Sequence, residues 1–196
     1  MDLRPREFRR IAVYCGSSDA VAEPYFEAAR EFGAFLARRG IGVIYGGGRV
    51  GLMGAVADAA LEGGGEVIGV ITRKLITLEK GHDGLTKRFV VDGMSARKSM
   101  MAQLADGFVA LPGGWGTLEE LFEVATLSQL NYFRKPFGFF NVEGYYDRLL
   151  AFLEHAQREG FVRPFQARMM VVSDDQEELL RQLATIEIPE ITPQAV

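Results

Sequence analysis

Short apolar runs that stop at glycine clusters constrain this chain more than any other feature. Ile11–Cys15 (IAVYC) stops at Gly16-Ser17-Ser18, Ile41–Tyr45 (IGVIY) at Gly46-Gly47-Gly48, and Phe108–Leu111 (FVAL) at Pro112-Gly113-Gly114. Val67–Ile71, Phe89–Val91, Phe137–Phe140 and Met169–Val172 are runs of the same kind. They show no polar alternation, so they suit strands covered on both faces, the condition of a parallel sheet. Between them lie segments with helical spacing. Phe26, Ala29, Phe32, Gly33 and Leu36 mark one, closed by Arg38-Arg39-Gly40, two cations and a glycine that form a usual stop signal. Leu52–Leu61, Ser95–Ala105, Thr117–Leu130, Tyr145–Glu159 and Gln176–Leu183 are further helices. Strands alternating with helices of this length predict right-handed βαβ crossovers in a three-layer, Rossmann-like α/β fold with a doubly wound parallel sheet. At 196 residues, without a repeat, linker or low-complexity stretch, the expectation is a single nucleotide-binding domain over residues 1–196, with its core at about 11–184. Residues 73–88 carry no clear element, and Ile186–Val196 reads as a loose tail.

Charge and composition remove several function classes. The 22 Lys+Arg against 26 Asp+Glu leave a net charge of −4 and no basic run, which argues against a nucleic-acid partner held by phosphate contacts. One cysteine excludes a disulfide framework and a Cys-rich zinc site, and fits a reducing compartment. His82 and His155 lie far apart without paired spacing, so no metal site is expected. Met1–Arg10 is basic, but the apolar run behind it is too short for a signal peptide. No run approaches the roughly 20 apolar residues of a membrane span. These features predict a soluble, cytoplasmic protein with no membrane partner.

In an open parallel sheet, ligands bind beyond the carboxyl ends of the strands. Three loops there are glycine-rich: Gly16-Ser17-Ser18, Gly46–Gly54 and Pro112–Thr117. Glycine lets a ligand approach the backbone, and a following helix offers unpaired N–H groups and a positive dipole end. Three such loops on one edge point to a phosphate-bearing ligand, and Gly16, Ser17, Gly46, Gly47 and Gly48 are counted as candidate binding residues; tight turns alone are the plainer explanation of any single loop. Gly46–Gly51 also matches G-x-G-x-x-G, with Glu66 near the place of a ribose-binding acid, which would make a nicotinamide enzyme; the motif, however, follows the second strand rather than the first.

The stretch Pro112-Gly113-Gly114-Trp115-Gly116-Thr117-Leu118-Glu119-Glu120 is richer. Thr117 stands where a helix N-cap would and Glu120 three residues on, as in a capping box. On a helical wheel Leu118, Leu121, Phe122 and Ala125 make the buried stripe, and Glu120 points away from it, toward a ligand cleft. Glu119 and Glu123 share another face, and solvent is the expected place of Glu123. Arg97 lies in the middle of an apolar arc of Met94, Met100, Met101, Leu104 and Ala105. A guanidinium there is costly to bury unless it meets an anion, either a structural carboxylate or a ligand or catalytic glutamate. Lys98 lies at the edge of that arc, solvated or reaching the ligand.

Together Gly46–Gly54, Arg97-Lys98, Pro112–Glu120, the opening IAVYCGSS and Phe139–Tyr146 resemble the LONELY GUY family, cytokinin riboside 5′-monophosphate phosphoribohydrolases often labelled "possible lysine decarboxylase". The resemblance runs from Ile11 to about Leu183, and Trp115 occupies the variable position of PGGxGTxxE. It implies hydrolysis of the N-glycosidic bond between an adenine-type base and ribose 5-phosphate in a nucleoside 5′-monophosphate, without a cofactor. It implies Arg97 and Glu120 as the catalytic pair. Substrate contacts fall on Glu79, Arg97, Lys98, Gly113, Gly114, Trp115, Gly116, Thr117, Leu118 and Glu119. A homodimer is implied, with the site near the subunit interface. Lysine decarboxylation would need a pyridoxal cofactor on a Schiff-base lysine, and no segment offers that site. Breaking a ribosyl C1′–N9 bond builds positive charge on the sugar, which an ionised Glu120 could stabilise while orienting water. The phosphate would rest on the N–H groups of Gly113–Thr117. Arg97 either holds Glu120 ionised and in place or contacts the ribose hydroxyls; both roles remain open, as does the preferred base. A non-catalytic carrier of a nucleotide or phosphorylated cofactor is the alternative from another class, against which Arg97 together with Glu120 favours an enzyme.

Overall fold

The computed structural model describes residues 5–78 and 81–189. Seven strands form one sheet: β1 (Arg10–Tyr14), β2 (Gly42–Tyr45), β3 (Val67–Thr72), β4 (Lys87–Val91), β5 (Gly107–Ala110), β6 (Phe137–Phe140) and β7 (Met170–Ser173). Their order is β4-β3-β2-β1-β5-β6-β7, and every neighbouring pair is parallel. The helices are α1 (Glu23–Arg38), α2 (Gly51–Glu62), α3 (Arg73–Leu78), α4 (Met94–Leu104), α5 (Trp115–Gln129), α6 (Asp147–Arg158), α7 (Pro164–Ala167) and α8 (Gln176–Thr185). This is the expected three-layer, doubly wound α/β fold.

Successive side chains of a strand point to opposite faces, so a run without polar residues feeds two cores. In β1, Ile11 and Val13 join α1, α2 and α8 in one cluster, while Ala12 and Tyr14 join Met101 of α4 and Leu121 and Val124 of α5 in the other. Strand β4, at one edge, is the most open to solvent, with Lys87 and Arg88 exposed as befits an edge. Helix α1 ends where the stop signal places it, with Gly40 at φ 68°. Gly33 lets α1 lie against the backbone of α2, because a Cβ there would collide with the Val56 carbonyl.

Two segments are more ordered than the sequence predicts. Within 73–88 the chain forms α3 and, from Gly81 on, a loop pinned by His82, whose N–H donates to the Gly47 carbonyl at 3.0 Å. The His82 ring accepts from the Gly84 N–H at Nδ1 (3.0 Å) and meets Asp58 of α2 through Nε2 at 2.8 Å. The predicted loose tail is packed over its first residues: Ile188 is buried in the α4–α5 core, and Arg134 donates to its carbonyl at 2.5 Å. An apolar side chain with a core to enter and a cation to hold its backbone has reason to stay. The rest of that predicted tail lies outside the described residues. Met94, placed by the wheel on the apolar arc of α4, is instead exposed; of that helix only Arg97 and Met101 are buried.

The chain moves outward from β1 to β2, β3 and β4 on one side, and from β5 to β6 and β7 on the other. The loops after β1 and β5 therefore diverge, and the crevice between them is where open α/β sheets bind ligands.

Candidate functional site

The three glycine-rich loops meet at that crevice. The Gly16 N–H donates to the Pro112 carbonyl at 3.0 Å, joining the loop after β1 to the loop after β5. The Leu52 N–H donates to the Gly16 carbonyl at 3.0 Å and the Gly51 N–H to Asp19 Oδ1 at 2.8 Å, joining both to the start of α2. Gly51 is glycine for two reasons: its φ is +61°, and a Cβ would lie 2.5 Å from the Ser17 carbonyl carbon. Gly46 is glycine because a Cβ would strike the Arg97 guanidinium. Gly48 forms a bridge with Gly81 that holds the His82 loop against the site. The G-x-G-x-x-G match is thus accounted for by close contacts within the protein. Glu66 corrects the dinucleotide alternative outright. It precedes β3 at the amino end of the sheet, where Oε2 accepts from Arg10 Nε at 2.6 Å, and cannot reach a ligand at the carboxyl end.

Arg97 and Glu120 come together, 23 residues apart in sequence, because α4 and α5 cover the same face of the sheet beside β1. Arg97 Nη1 donates to Glu120 Oε1 at 3.0 Å, Nε to the Val70 carbonyl at 2.9 Å and Nη2 to the Gly46 carbonyl at 3.2 Å. A carbonyl within β3 and one just past the end of β2 thus hold the guanidinium fork, and its third direction faces the carboxylate. Arg97 is 5% exposed and Glu120 9%. Burial at this depth requires such pairing.

The structure moves Glu120 from where the helical wheel puts it. Helix α5 starts at Trp115 with Gly114 as its N-cap, so Thr117 is the third helical residue and no capping box forms. The buried residues are Thr117, Glu120, Leu121, Val124 and Ser128, spaced i, i+3, i+4, i+7 and i+11, while Leu118, Phe122 and Ala125 are half-buried. A wheel that equates buried with apolar rotates this helix wrongly, because its inner face covers an ion pair. Thr117 sits against Gly113, where any Cβ would strike its hydroxyl.

No side chain caps α5, which leaves the N–H groups of its first turn to be satisfied from outside. Gly114 and Gly116 are exposed, and a Cβ on either would meet nothing within 4 Å; Gly114 has an ordinary φ of −95°. Neither packing nor backbone conformation demands glycine here, so their effect is to keep the helix end bare. A bare helix start of this kind presents unpaired N–H groups and the positive end of the helix dipole. Trp115, the first residue of α5, is 91% exposed.

Lys98 is neither solvated nor free: Nζ is bonded to Glu119 and lies 2.9 Å from Glu123 Oε2. Burial alone would lower its pKa, but the two carboxylates outweigh it and the net shift is upward. Glu123, expected in solvent, is drawn in by that ammonium. Beneath the cluster, Tyr14 is buried, and burial together with the charge of Glu120 pushes its phenol well above the usual range. Neither Tyr145 nor Tyr146 stands among the candidate site residues read from the sequence. The Tyr145 hydroxyl donates to the Gly113 carbonyl at 2.8 Å and that of Tyr146 to the Leu111 carbonyl at 2.7 Å. Their proximity to a strand carboxyl end was the available signal. Glu79, a residue the resemblance implicates, lies outside the described residues. Among the described residues no three His, Cys, Asp or Glu side chains group to hold a metal, and no helix is long and apolar enough to cross a membrane.

Comparison with known proteins adds to this geometry. Residues 53–183 match a family described as possible lysine decarboxylase. Cytokinin riboside 5′-monophosphate phosphoribohydrolase LOG7 of Arabidopsis thaliana is 46% identical over 198 residues, spanning 100% of this chain and 91% of that protein. The LOG enzyme of the same description from Oryza sativa subsp. japonica is 46% identical over 180 residues, spanning 92% of this chain and 74% of its own. The chain belongs to the LONELY GUY family. These LONELY GUY relatives carry the name phosphoribohydrolase, and the decarboxylase label survives only in the description of the matched family. Among solved structures, the molybdenum cofactor carrier protein of Chlamydomonas reinhardtii superposes with a TM-score of 0.66 at 21% identity, over 89% of this chain and 94% of that one. The molybdenum cofactor binding protein of Rippkaea orientalis gives 0.63 at 21% identity, over 87% and 92%. At that identity they share the LONELY GUY chain's fold.

Proposed function

We propose that this protein hydrolyses cytokinin riboside 5′-monophosphates, and AMP, to the free base and ribose 5-phosphate. The observation that carries the reading is the buried Arg97–Glu120 pair set beneath the bare, uncapped start of α5. The 5′-phosphate binds the N–H groups of Gly113–Thr117, with help from the Thr117 hydroxyl, and so fixes the ribose over Glu120. As the C1′–N9 bond breaks, its electrons leave with the base and positive charge spreads over C1′ and the ring oxygen. The Glu120 carboxylate stabilises that charge and accepts a proton from the water whose oxygen adds to C1′. That proton ends on the departing base, so the sum is hydrolysis. Three hydrogen bonds commit Arg97 to Val70, Gly46 and Glu120, which supports a positioning role over direct contact with the ribose hydroxyls. Lys98, Glu119 and Trp115 line the rim, and Gly16, Ser17 and Gly46–Gly48 form the opposite wall.

The carrier alternative has support only from fold neighbours at about 21% identity, whereas the 46% identical relatives are named as hydrolases. The reading includes a homodimer: Trp115 and Met94, heading α5 and α4, are exposed apolar side chains of the kind a second copy covers. It also includes a cytoplasmic location, in keeping with a single, buried cysteine. The test is release of free base from isopentenyladenosine 5′-monophosphate and AMP, each beside its nucleoside. Base from the nucleotides alone is the expected result. Equal rates on AMP and adenosine would remove the phosphate from the start of α5, and no base from either nucleotide would leave the carrier reading ahead.

A further inference from the structure

Two residues in left-handed conformation follow one another between β6 and α6: Glu143 at φ 52° and Gly144 at φ 65°. Glutamate adopts that conformation only where its surroundings require it, and such positions gather at functional sites. The turn is braced on both sides. Asn141 accepts from the Tyr146 N–H at Oδ1 and donates from Nδ2 to Asp147 Oδ1, each at 2.8 Å. A Cβ on Gly144 would come 2.6 Å from Asp147 Oδ2, so glycine is needed there twice over.

What the turn delivers is Tyr145, laid across the loop between β5 and α5. Its ring meets Tyr25 of α1 edge-on (5.7 Å, 76°) and Tyr146 edge-on (4.9 Å, 84°), and its hydroxyl donates to the Gly113 carbonyl at 2.8 Å. Gly113 and Gly114 flank one peptide unit. A peptide between two glycines can rotate as a plate with little steric resistance, and in a trans peptide the C=O and N–H point in opposite directions. Fixing the Gly113 carbonyl therefore fixes the direction of the Gly114 N–H, the first donor at the start of α5.

We infer that Tyr145 is a positioning residue that locks the Gly113–Gly114 peptide, so that the Gly114 N–H faces the 5′-phosphate of the substrate. The inference rests on the phosphoribohydrolase reading for the identity of the ligand. Without the hydroxyl, the plate samples the flipped orientation, in which a carbonyl oxygen faces the anion; binding then selects the minority of molecules with the donor in place.

The test is Tyr145→Phe, which keeps the ring and both edge contacts. Its affinity for ribose 5-phosphate, titrated by calorimetry, is expected to fall about 3- to 10-fold, the worth of one ordinary hydrogen bond. KM for AMP should rise by the same factor with kcat within twofold, and affinity for adenosine should not change. A general structural role would weaken adenosine and ribose 5-phosphate alike, and that result overturns the lock. So does unchanged affinity for ribose 5-phosphate. A wild-type protein that binds neither ribose 5-phosphate nor inorganic phosphate would overturn the phosphate assignment and the lock with it. A wild-type protein that binds ribose 5-phosphate, weakened in Tyr145→Phe, yet releases no base from AMP would support the lock and overturn the hydrolase reading.

Discussion

Two arginine–glutamate pairs sit at opposite ends of the same sheet. At the amino end, Arg10 and Glu66 meet at 2.6 Å with their side chains more than a third exposed. At the carboxyl end, Arg97 and Glu120 meet at 3.0 Å with side-chain exposures of 6% and 10%. The shorter contact is the less consequential. Solvent screens the outer pair, and such pairs contribute little to stability. The inner pair has given up its water, so it must be held from every side, and the protein supplies the Val70 and Gly46 carbonyls to do so. A buried pair of this kind is weak evidence for stability, since apolar residues of the same volume would often serve the fold as well or better. On the proposed reading its value lies in holding one carboxylate in place near the open end of a helix.

The comparison can be broken most severely at Arg97. Arg97→Ala takes the guanidinium away from Glu120 and two carbonyls in a buried site, so a loss of about 3–5 kcal/mol is expected in a denaturant titration, together with loss of turnover. Because both a structural and a catalytic role predict that outcome, Arg97→Lys is the sharper variant. It keeps the charge but not the three-pronged fork; a folded protein with kcat down about 10²-fold would show that orientation of Glu120 matters. A variant as active as wild type would sink the positioning role.

At the open end of α5, Gly114→Val places a side chain where nothing in the protein stands in its way. Stability within about 0.5 kcal/mol of wild type and a KM for AMP roughly tenfold higher are expected. A melting temperature that falls while KM holds would mean that the glycine serves the fold.

The smallest effect belongs to the outer pair. Arg10 lowers the Glu66 pKa through their hydrogen bond. A carboxyl whose folded pKa lies below its unfolded value stabilises the fold above about pH 4.3, and that contribution fades as pH falls through the folded value. Glu66→Gln should therefore cost about 0.2–1 kcal/mol at pH 7 and less near pH 3. A constant difference across that range would rule out the ion pair as its source.

Much of this could be read in the sequence, for reasons that particular residues make plain. The strands were legible because burial on both faces leaves unbroken apolar runs such as Ile11–Cys15, and the crevice because glycine clusters mark strand ends. Arg97 was legible as an anomaly, a cation among methionines. The seat of Glu120 was not: a wheel sorts residues by hydrophobicity, and α5 turns two polar residues, Thr117 and Glu120, inward beside Leu121 and Val124. Lys98 between Glu119 and Glu123 depends on the distance between two helices, and Tyr145 acts on a backbone carbonyl 32 residues earlier, neither of which leaves a periodic trace. Ile188 needed the shape of the finished core before its place could be seen.

The same substitution at the two ends tests the account most directly. Turnover of AMP by Glu120→Gln and by Glu66→Gln should be measured side by side, with nucleotide affinity as the control. Glu120→Gln keeps the shape and hydrogen-bonding capacity of the side chain but removes the charge, so kcat should fall by about 10²–10⁴ with affinity largely retained, while Glu66→Gln should turn over like wild type. Similar rates from the two variants would contradict the account and leave Glu119 as the next candidate for the carboxylate.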